Sequence, residues 1–498
     1  MKLNLDALIA KTRPDRPRGR VETPVPIPWR AEQVRDPRDT SRPLGRFGRA
    51  KAARHGIGFN RDDDGADDLA ANFRPSLYFD DYDQVAIQVS GGKDSVACVA
   101  MVMRLLAGRP DLVEKVEIWH QDVDAGGEPF MDWPVTAAYV RALGLVYGVR
   151  TVFAYREGGF LGEIRRGPGQ ARGPKMVVDP DTGCAVQVGK TPSKASEVGR
   201  LRFPAPSPED MNARWCTNEL KTDVARGILA GHKDFYGRKV LWITGERASE
   251  SKKRVRYHRG QDGGSTQGRT VHQWRPVFDH VEEDVWAEMA HAFPGKRYGL
   301  QPHPAYELGW GRCSCAGCIF GGPAEWARLR QILPSQYARI VAEEKAAHQR
   351  ARRRAPEVEP QIQRLQARRE VLMREMPFVR ASIRAVPPSQ RAHYEREQEK
   401  LLAERADIDK EIRVLRGQIS ATIKAEGSIP ELIAAAQARG PIKGATIRRD
   451  VLALWGPYAR GETPWTERDM LRGPGAPVFS MPWTMPAGAL SGAACGPP

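Results

Sequence analysis

The chain contains a short glycine-bearing stretch, "SGGKDS" at residues 90–95, whose residue types suit the binding of an anion. Gly91 and Gly92 let the backbone approach a ligand closely, and Lys93 adds a mobile positive charge. An apolar run precedes the stretch and a helical pattern follows it, so the free amides and the dipole of a helix start favour a phosphate there. The spacing excludes a Walker A loop, which needs four residues between its first glycine and the Gly-Lys pair.

A second group of residues has the spacing of metal ligands. The chain has 7 cysteines, an odd number, and Cys313, Cys315 and Cys318 lie close together in "CSCAGC". This spacing is poor for disulfides and good for metal coordination. The sequence therefore predicts a metal site that includes these three thiols.

A third group follows a β-rich run and is rich in arginine. The stretch "GERASESKKR" contains Arg247, Ser251 and Arg254. Guanidinium groups can bind phosphate through two parallel hydrogen bonds, which favours an anion-binding role. The structural alternative is that these arginines pair with Glu246 or Glu250.

Strands that alternate with helices must position these groups. Four short β-rich runs, "QVAIQVS", "VEIWHQD", "RTVFAYR" and "KVLWITGER", are separated by helical patterns at 93–107, 132–147 and 217–231. This alternation predicts an α/β fold with a parallel sheet, whose ligands bind at the carboxyl ends of the strands. Residues 157–213 form a long Gly- and Pro-rich connection, which we interpret as an active-site flap.

Outside this region the composition and the hydrophobic pattern of the sequence change. We divide the chain into a basic, Pro/Arg-rich disordered arm at 1–80, the α/β domain at 81–345, an antiparallel helical hairpin at 356–424, and a C-terminal helical segment with a flexible tail at 425–498. The 77 Lys and Arg residues exceed the 61 Asp and Glu residues, and the net charge of +16 favours polyanionic partners such as nucleic acid. No apolar run is long enough for a membrane helix, so we expect a cytoplasmic protein without a membrane partner.

Residues 84 to about 325 resemble the phosphoadenosine phosphosulfate (PAPS) reductase family of the PP-loop ATP pyrophosphatase superfamily. Four stretches carry the resemblance: "SGGKDS", "RWCTNELK" at 214–221, "ITGERASESKKR" at 243–254 and "GRCSCAGCIF" at 311–320. The branch that looks most similar is that of the Dnd-type DNA phosphorothioation sulfurtransferases. The resemblance implies an adenine nucleotide alpha hydrolase-like (PP-loop) domain, with the helical hairpin as an insertion.

The resemblance also implies a reaction and its residues. ATP and Mg²⁺ are expected, with ATP cleaved to AMP and pyrophosphate as an oxygen of the substrate takes the AMP. Lys93, Asp94 and Arg247 would be catalytic, and Arg247, Ser251 and Arg254 would meet the anionic part of the substrate. The expected ATP-binding residues are Ser90, Gly91, Gly92, Lys93, Asp94, Ser95, Asp122 and Asp124. For the last two, a turn or capping role is the structural alternative.

The cysteines help to indicate which branch of the family the chain resembles. By this resemblance, Cys216 would join Cys313, Cys315 and Cys318 as the four ligands of a 4Fe-4S cluster. Structural Zn²⁺ and an unmetallated, reduced set are the alternatives, and the Cys-x-Cys-x-x-Cys spacing departs from the commoner Cys-x-x-Cys, which puts Cys313 in doubt as a ligand.

The sequence thus predicts an ATP-dependent adenylating enzyme that transfers sulfur to a nucleic acid or a nucleotide. A sulfur-donor protein such as a cysteine desulfurase and a homodimer through the hairpin are the further partners expected. One alternative is a sulfonucleotide reductase, although the "AACGPP" context of Cys495 differs from the catalytic cysteine of such enzymes. The other is a non-enzymatic accessory protein that binds nucleic acid.

Overall fold

The computed structural model describes residues 79–498 apart from 191, 193–199, 208–210, 252, 253, 267, 314, 420–427, 487, 488 and 490–498. The predicted basic arm lies almost wholly outside the described residues, and so does Cys495.

An eight-stranded, mostly parallel sheet forms the centre of the described chain. Its strands in chain order are β1 (Gln84–Gln88), β2 (Val116–Asp122), β3 (Arg150–Arg156), β4 (Lys175–Val178), β5 (Ala185–Val188), β6 (Lys239–Ile243), β7 (Gly260–Asp262) and β8 (Thr270–Trp274). Their spatial order is β5-β4-β3-β2-β1-β6-β8-β7, and β4, β5 and β7 pair antiparallel at the two edges. The α/β class with a mostly parallel sheet is confirmed. The four predicted strands are β1, β2, β3 and β6.

The central strand β1 is apolar because both faces of the sheet are covered. Val85, Ala86 and Ile87 are all buried, which is typical of parallel strands between two layers of helices. β1 pairs with β2 on one side and with β6 on the other, in register Val85 with Val116 and Val85 with Leu241.

Helices cover the sheet and extend from it. Those of seven or more residues are α1 (Lys93–Leu105), α2 (Thr136–Tyr147), α3 (Gly159–Arg165), α4 (Asp223–Gly231), α5 (Glu282–Ala290), α6 (Pro323–Ile332), α7 (Pro334–Ala385), α8 (Pro388–Ile419), α9 (Ile429–Ala438) and α10 (Arg449–Ala459). Shorter helical turns are Pro110–Val113, Trp215–Thr217 and Pro304–Glu307, and a π-helical turn spans Asn218–Thr222. Among the described residues, none of the helices combines the length and the apolar character that crossing a bilayer requires.

The long connection at 157–213 contains more regular structure than its composition predicted. It carries α3 and the antiparallel strands β4 and β5, which lengthen the sheet beyond β3. These strands have four residues each, β4 buries only Val177 and Val178, and β5 buries only Val188, so both are too short to show the apolar pattern that identifies a strand. Part of the predicted flap is therefore an extension of the sheet.

Two long helices form an antiparallel hairpin. α7 begins at Pro334 and runs without a break to Ala385, so the predicted boundary between 345 and 356 falls inside one helix. α7 ends at Ala385 and α8 begins at Pro388, a first-turn position at which a proline costs the helix no hydrogen bond. The apolar seam packs within the hairpin and consists of Val358, Ile362, Leu372, Ile408, Ile412 and Leu415. A homodimer through the hairpin stays a prediction.

The C-terminal part of the described chain packs into the main core. Trp455, Trp465 and Phe479 belong to the same apolar cluster as the helices beside β1. A short strand, β10 (Leu471–Arg472), pairs antiparallel with β9 (Gly299–Leu300). The described residues from α9 to Ala489 thus contribute side chains to the main apolar core.

The hairpin seam generates a stability prediction. Leu372 is 0% exposed, whereas Leu402 on α8 is 41% exposed. Because a buried Leu→Ala change loses transfer free energy and leaves a cavity, Leu372→Ala should lower the free energy of unfolding by about 2–5 kcal/mol. Leu402→Ala, the control, should change it by roughly 0.5 kcal/mol or less. Urea unfolding followed by circular dichroism measures both, and equal losses would contradict the seam.

Candidate active site

The candidate site lies at the carboxyl ends of β1 and β6, which are neighbours in the sheet although about 150 residues separate them in sequence. The chain runs from β1 outward to β2 and β3, and then crosses to β6 on the other side of β1. Such a reversal of strand order opens a crevice at the carboxyl edge of a parallel sheet, where ligands bind. "SGGKDS" follows β1 and "GERASESKKR" follows β6, so both face this crevice.

Close packing explains the two glycines of the loop. Gly91 has a φ of +80°, and a Cβ atom there would lie 3.4 Å from Cδ2 of His303. At Gly92 a Cβ atom would lie 3.0 Å from the carbonyl oxygen of Cys313, closer than side chains tolerate without a shift. The first glycine is therefore required by the backbone conformation and the second by a neighbouring segment.

Several amides of the loop already have partners within the protein. Ser95 Oγ accepts a hydrogen bond from the amide of Ser90 at 3.2 Å and donates one to the carbonyl oxygen of Gly92 at 2.8 Å. The amide of Lys93 donates to the hydroxyl of Tyr306 at 2.9 Å. These bonds hold the loop in shape, and Ser90 and Ser95 act on the loop backbone itself.

Lys93 carries a charge that is almost fully enclosed. Its side chain is 3% exposed, and its Nζ lies 3.1 Å from Oε1 of Glu282 and 3.6 Å from Oδ2 of Asp94. Burial opposes the charge, but the carboxylates of Asp94 and Glu282 outweigh it and raise the pKa of Lys93. The ammonium group is therefore charged at neutral pH.

Arg247 joins the loop from the other side of the crevice. Its Nε donates to Oδ1 of Asp94 at 2.5 Å and its Nη1 donates to Oγ of Ser249 at 3.1 Å. The approach requires Gly245, because a Cβ atom there would lie 3.0 Å from the backbone of Asp94. The structure thus brings together Lys93, Asp94 and Arg247, the three residues expected to be catalytic.

Arg254 and Ser251 follow Arg247 in the same segment. Arg254 pairs with the carboxylate of Glu250, which also accepts a hydrogen bond from the amide of Arg247 at 2.9 Å. Ser251 Oγ accepts a hydrogen bond from the amide of Arg254 at 3.2 Å. Arg254 thus has the Arg-Glu pairing of the structural alternative, whereas Arg247 pairs with Asp94, and contact of Arg254 or Ser251 with the substrate stays a prediction.

Asp122 and Asp124 organise the turn after β2. Asp122 accepts hydrogen bonds from the amides of Asp124 and Gly126 at 2.8 and 2.9 Å. Asp124 Oδ2 accepts from the amides of Phe130, Met131 and Asp132 at 2.9, 3.0 and 2.9 Å. Both side chains therefore fill the turn role that the sequence left open, and nucleotide contact by either stays a prediction.

Three of the four predicted metal ligands lie near one another. The thiols of Cys216, Cys315 and Cys318 interact electrostatically with one another, and burial raises the pKa of Cys216 to about 11. Lys221 interacts with all three thiols, and that interaction, led by Cys315, raises its pKa. The Cys313 thiol interacts instead with Asp132, Lys221 and, most weakly, Lys93. No three His, Cys, Asp or Glu side chains within the described part of the chain are arranged as a metal site.

A path of polar side chains connects the thiols with the glycine loop. The ammonium group of Lys221 interacts with Asp132, whose Oδ1 accepts a hydrogen bond from Oγ1 of Thr136 at 3.3 Å. Thr136 Oγ1 lies 3.4 Å from Nε2 of His303, the residue packed against Gly91. Burial lowers the pKa of His303 to about 3, so its ring is neutral at physiological pH.

Five residues of the site were not predicted from the sequence: Lys221, Asp132, Glu282, His303 and Tyr306. Lys221 ends the quoted stretch "RWCTNELK" and lies in the π-helical turn, a feature common at functional sites. Glu282 and Tyr306 stand about 190 and 210 residues after Lys93 in sequence, and no local pattern links them to the loop.

Comparison with known proteins gives little guidance to function. The chain is 33% identical over 142 residues to an uncharacterized 37.8 kDa protein in the gpa 5' region of Escherichia phage 186. That match covers 28% of this chain and 38% of the length of the phage protein. No family model matches the chain, and no solved structure matches it.

The turn after β2 generates a prediction about pH. Asp124 Oδ1 is buried and has no hydrogen-bond partner among the described residues, and burial together with Asp122 raises the pKa of Asp124 to about 7. Because the folded state holds this proton more tightly than the unfolded state, the contribution of Asp124 to stability is greatest below about pH 4 and falls toward pH 7. The fall should approach roughly 1.4 kcal/mol per pH unit.

Asp124→Asn removes that titration while its amide oxygen can still accept from the three backbone amides. Urea unfolding between pH 4 and pH 8 should therefore show the stability difference moving in favour of the asparagine variant as pH rises to about 7, and levelling off above it. Parallel pH profiles for wild type and variant would contradict the raised pKa.

Proposed function

We propose that the protein cleaves ATP to AMP and pyrophosphate and transfers the AMP to an oxygen of its substrate, as in the PP-loop family that the sequence resembles. The observation that carries this proposal is the meeting of Lys93, Asp94 and Arg247 at a glycine loop in the crevice between β1 and β6. Two cationic side chains from different elements are held beside a loop whose glycines let a ligand approach the backbone closely. Phosphoryl transfer depends on such fixed positive charges, which stabilise the negative charge of the transition state.

The positions of Lys93, Asp94 and Arg247 give each residue a separate role in the proposed reaction. The substrate oxygen forms a bond to the α-phosphorus of ATP, and the bond from that phosphorus to the bridging oxygen breaks. Pyrophosphate leaves with the electron pair, and the substrate's proton passes to solvent. Lys93 would stabilise the charge that develops on pyrophosphate, and Arg247 would hold the α-phosphate, while Asp94 positions both cations.

Mg²⁺ enters this scheme with the nucleotide. The described residues offer no group of three carboxylates for a Mg²⁺ ion, and the carboxylate of Asp94 at the glycine loop is bound to Arg247. Proteins commonly hold Mg²⁺ through substrate phosphates and one or two carboxylates. We therefore treat MgATP as the substrate.

A nucleic acid or nucleotide is the proposed acceptor of AMP. The net charge of +16 favours a polyanion, and the thiols beside the crevice support a later exchange of the adenylated oxygen for sulfur. In that exchange a sulfur nucleophile forms the new bond and AMP leaves with the former substrate oxygen. A sulfur-donor protein such as a cysteine desulfurase would supply the sulfur as a persulfide, and a thiol reductant would provide the two electrons that break its S–S bond.

Cys216, Cys315 and Cys318 are the residues that would hold a 4Fe-4S cluster. Their soft thiols and mutual interaction fit such a group in donor type, whereas Cys313 presents its backbone carbonyl to the glycine loop. A bound cluster would supply a site for sulfur or electrons next to the crevice. Lys221 would balance the negative charge of the thiolates.

Removing the loop cation tests the central proposal. Lys93→Ala should reduce release of AMP and pyrophosphate by at least about 100-fold, because a positioned charge stabilising the leaving group is lost. Lys239, which is 37% exposed at the opposite end of β6, provides the control, and Lys239→Ala should keep wild-type turnover. The measurement is pyrophosphate release from saturating MgATP with and without added DNA or RNA. Equal turnover in Lys93→Ala and wild type would remove the proposal.

Metal content tests the role of the thiols. Protein purified without oxygen should contain iron and sulfide and absorb in the blue part of the visible spectrum. Cys216→Ser and Cys315→Ser should lose both, whereas Cys313→Ser and the exposed control Cys184→Ser should retain them. Colourless wild-type protein with stoichiometric zinc would assign the thiols a structural role instead.

A further inference from the structure

Resting on the proposed binding of ATP, we infer that Glu282 occupies the place of a phosphate at Lys93 and must leave when the nucleotide binds. Its carboxylate would act as an internal competitor that sets the affinity of the site for pyrophosphate-bearing ligands. The residue is the first of α5 and comes from neither of the two loops that form the crevice.

The geometry at Lys93 supports this role directly. Glu282 Oε1 lies 3.1 Å from the ammonium nitrogen, nearer than the carboxylate of Asp94 at 3.6 Å. Lys93 is 3% exposed, so a phosphate cannot reach it while this contact is closed. The side chain of Glu282 is 33% exposed and therefore has a route to solvent.

The charges of the loop also identify Glu282 as the group that leaves. Lys93 and Arg247 are balanced by Asp94 and Glu282, so the closed loop has two positive and two negative charges. An arriving phosphate needs an excess of positive charge, which appears when one carboxylate departs. Asp94 is also held at 2.5 Å by Arg247, and its side chain is less exposed than that of Glu282, so Glu282 is the carboxylate that can leave.

The surroundings of Glu282 make its departure inexpensive. α5 packs against α1, and Arg104 and Glu288 join the two helices at 2.5 Å, so their backbones can stay in place while one side chain moves. A carboxylate in the first turn of a helix keeps a favourable interaction with the helix dipole after it loses its ion pair. Glu282 can therefore turn to solvent with a large part of its stabilisation retained.

A neighbouring glutamate gives a matched control. Glu283 is exposed, lies in the same first turn of α5, and its change to Gln removes the same charge from the helix start. Glu282→Gln should bind ATP without Mg²⁺, and also inorganic pyrophosphate, about tenfold more tightly than wild type. Glu283→Gln should stay within about twofold. Isothermal titration calorimetry measures both ligands on the full chain.

The outcomes separate this inference from the proposed function. If wild type binds ATP and pyrophosphate but Glu282→Gln binds them no more tightly, the competitor role is wrong and the ATP site stands. If wild type and every variant fail to bind either ligand, the ATP site itself is wrong. Should Glu282→Gln not fold, Glu282→Asp, which is one methylene shorter, takes its place with the same expected gain and the same contrary result.

Discussion

The ammonium group of Lys93 lies out of contact with water at the carboxyl end of the central strand, and the crevice is built around that charge. A buried cation is stable only if counter-charges or hydrogen-bond partners surround it. Here they come from three places in the sequence: Asp94 beside it, Glu282 at the start of α5, and Tyr306, whose ring centre lies 5.8 Å from the ammonium nitrogen. Arg247 then balances Asp94. Each element of the site is thus fixed by the need to compensate one charge.

The sheet topology makes this compensation possible. Because β1 and β6 are adjacent, the residues that follow β1 lie close to the residues that follow β6. Gly245 permits backbone contact with the first turn of α1. The same adjacency leaves β2 and its turn on the other side of β1, where Asp122 and Asp124 are engaged with backbone amides. The crevice therefore has a cationic wall at β6 and a rigid, amide-bonded wall at β2.

The sequence predicted the features that depend on local pattern. The four apolar runs gave the parallel strands, and their order placed "SGGKDS" and Arg247 at one edge, which is where the structure has them. Glu282 and Tyr306 could not be predicted, because their contacts with Lys93 arise from tertiary packing and leave no spacing in the sequence. The strands β4 and β5 escaped detection for a different reason, since four residues are too few to show an apolar periodicity, and three of the four residues of β5 are exposed.

The cysteine-bearing segment "CSCAGC" contacts both the glycine loop and the group of thiols. The carbonyl oxygen of Cys313 packs against Gly92, and Cys315, two residues later, lies with the thiols of Cys216 and Cys318. Two residues of chain span at most about 7 Å, which leaves little slack between the contacts. A displacement of the sulfur atoms would therefore also move the backbone that contacts the glycine loop. The chemical state of the thiols and the conformation of the loop are coupled through this short segment.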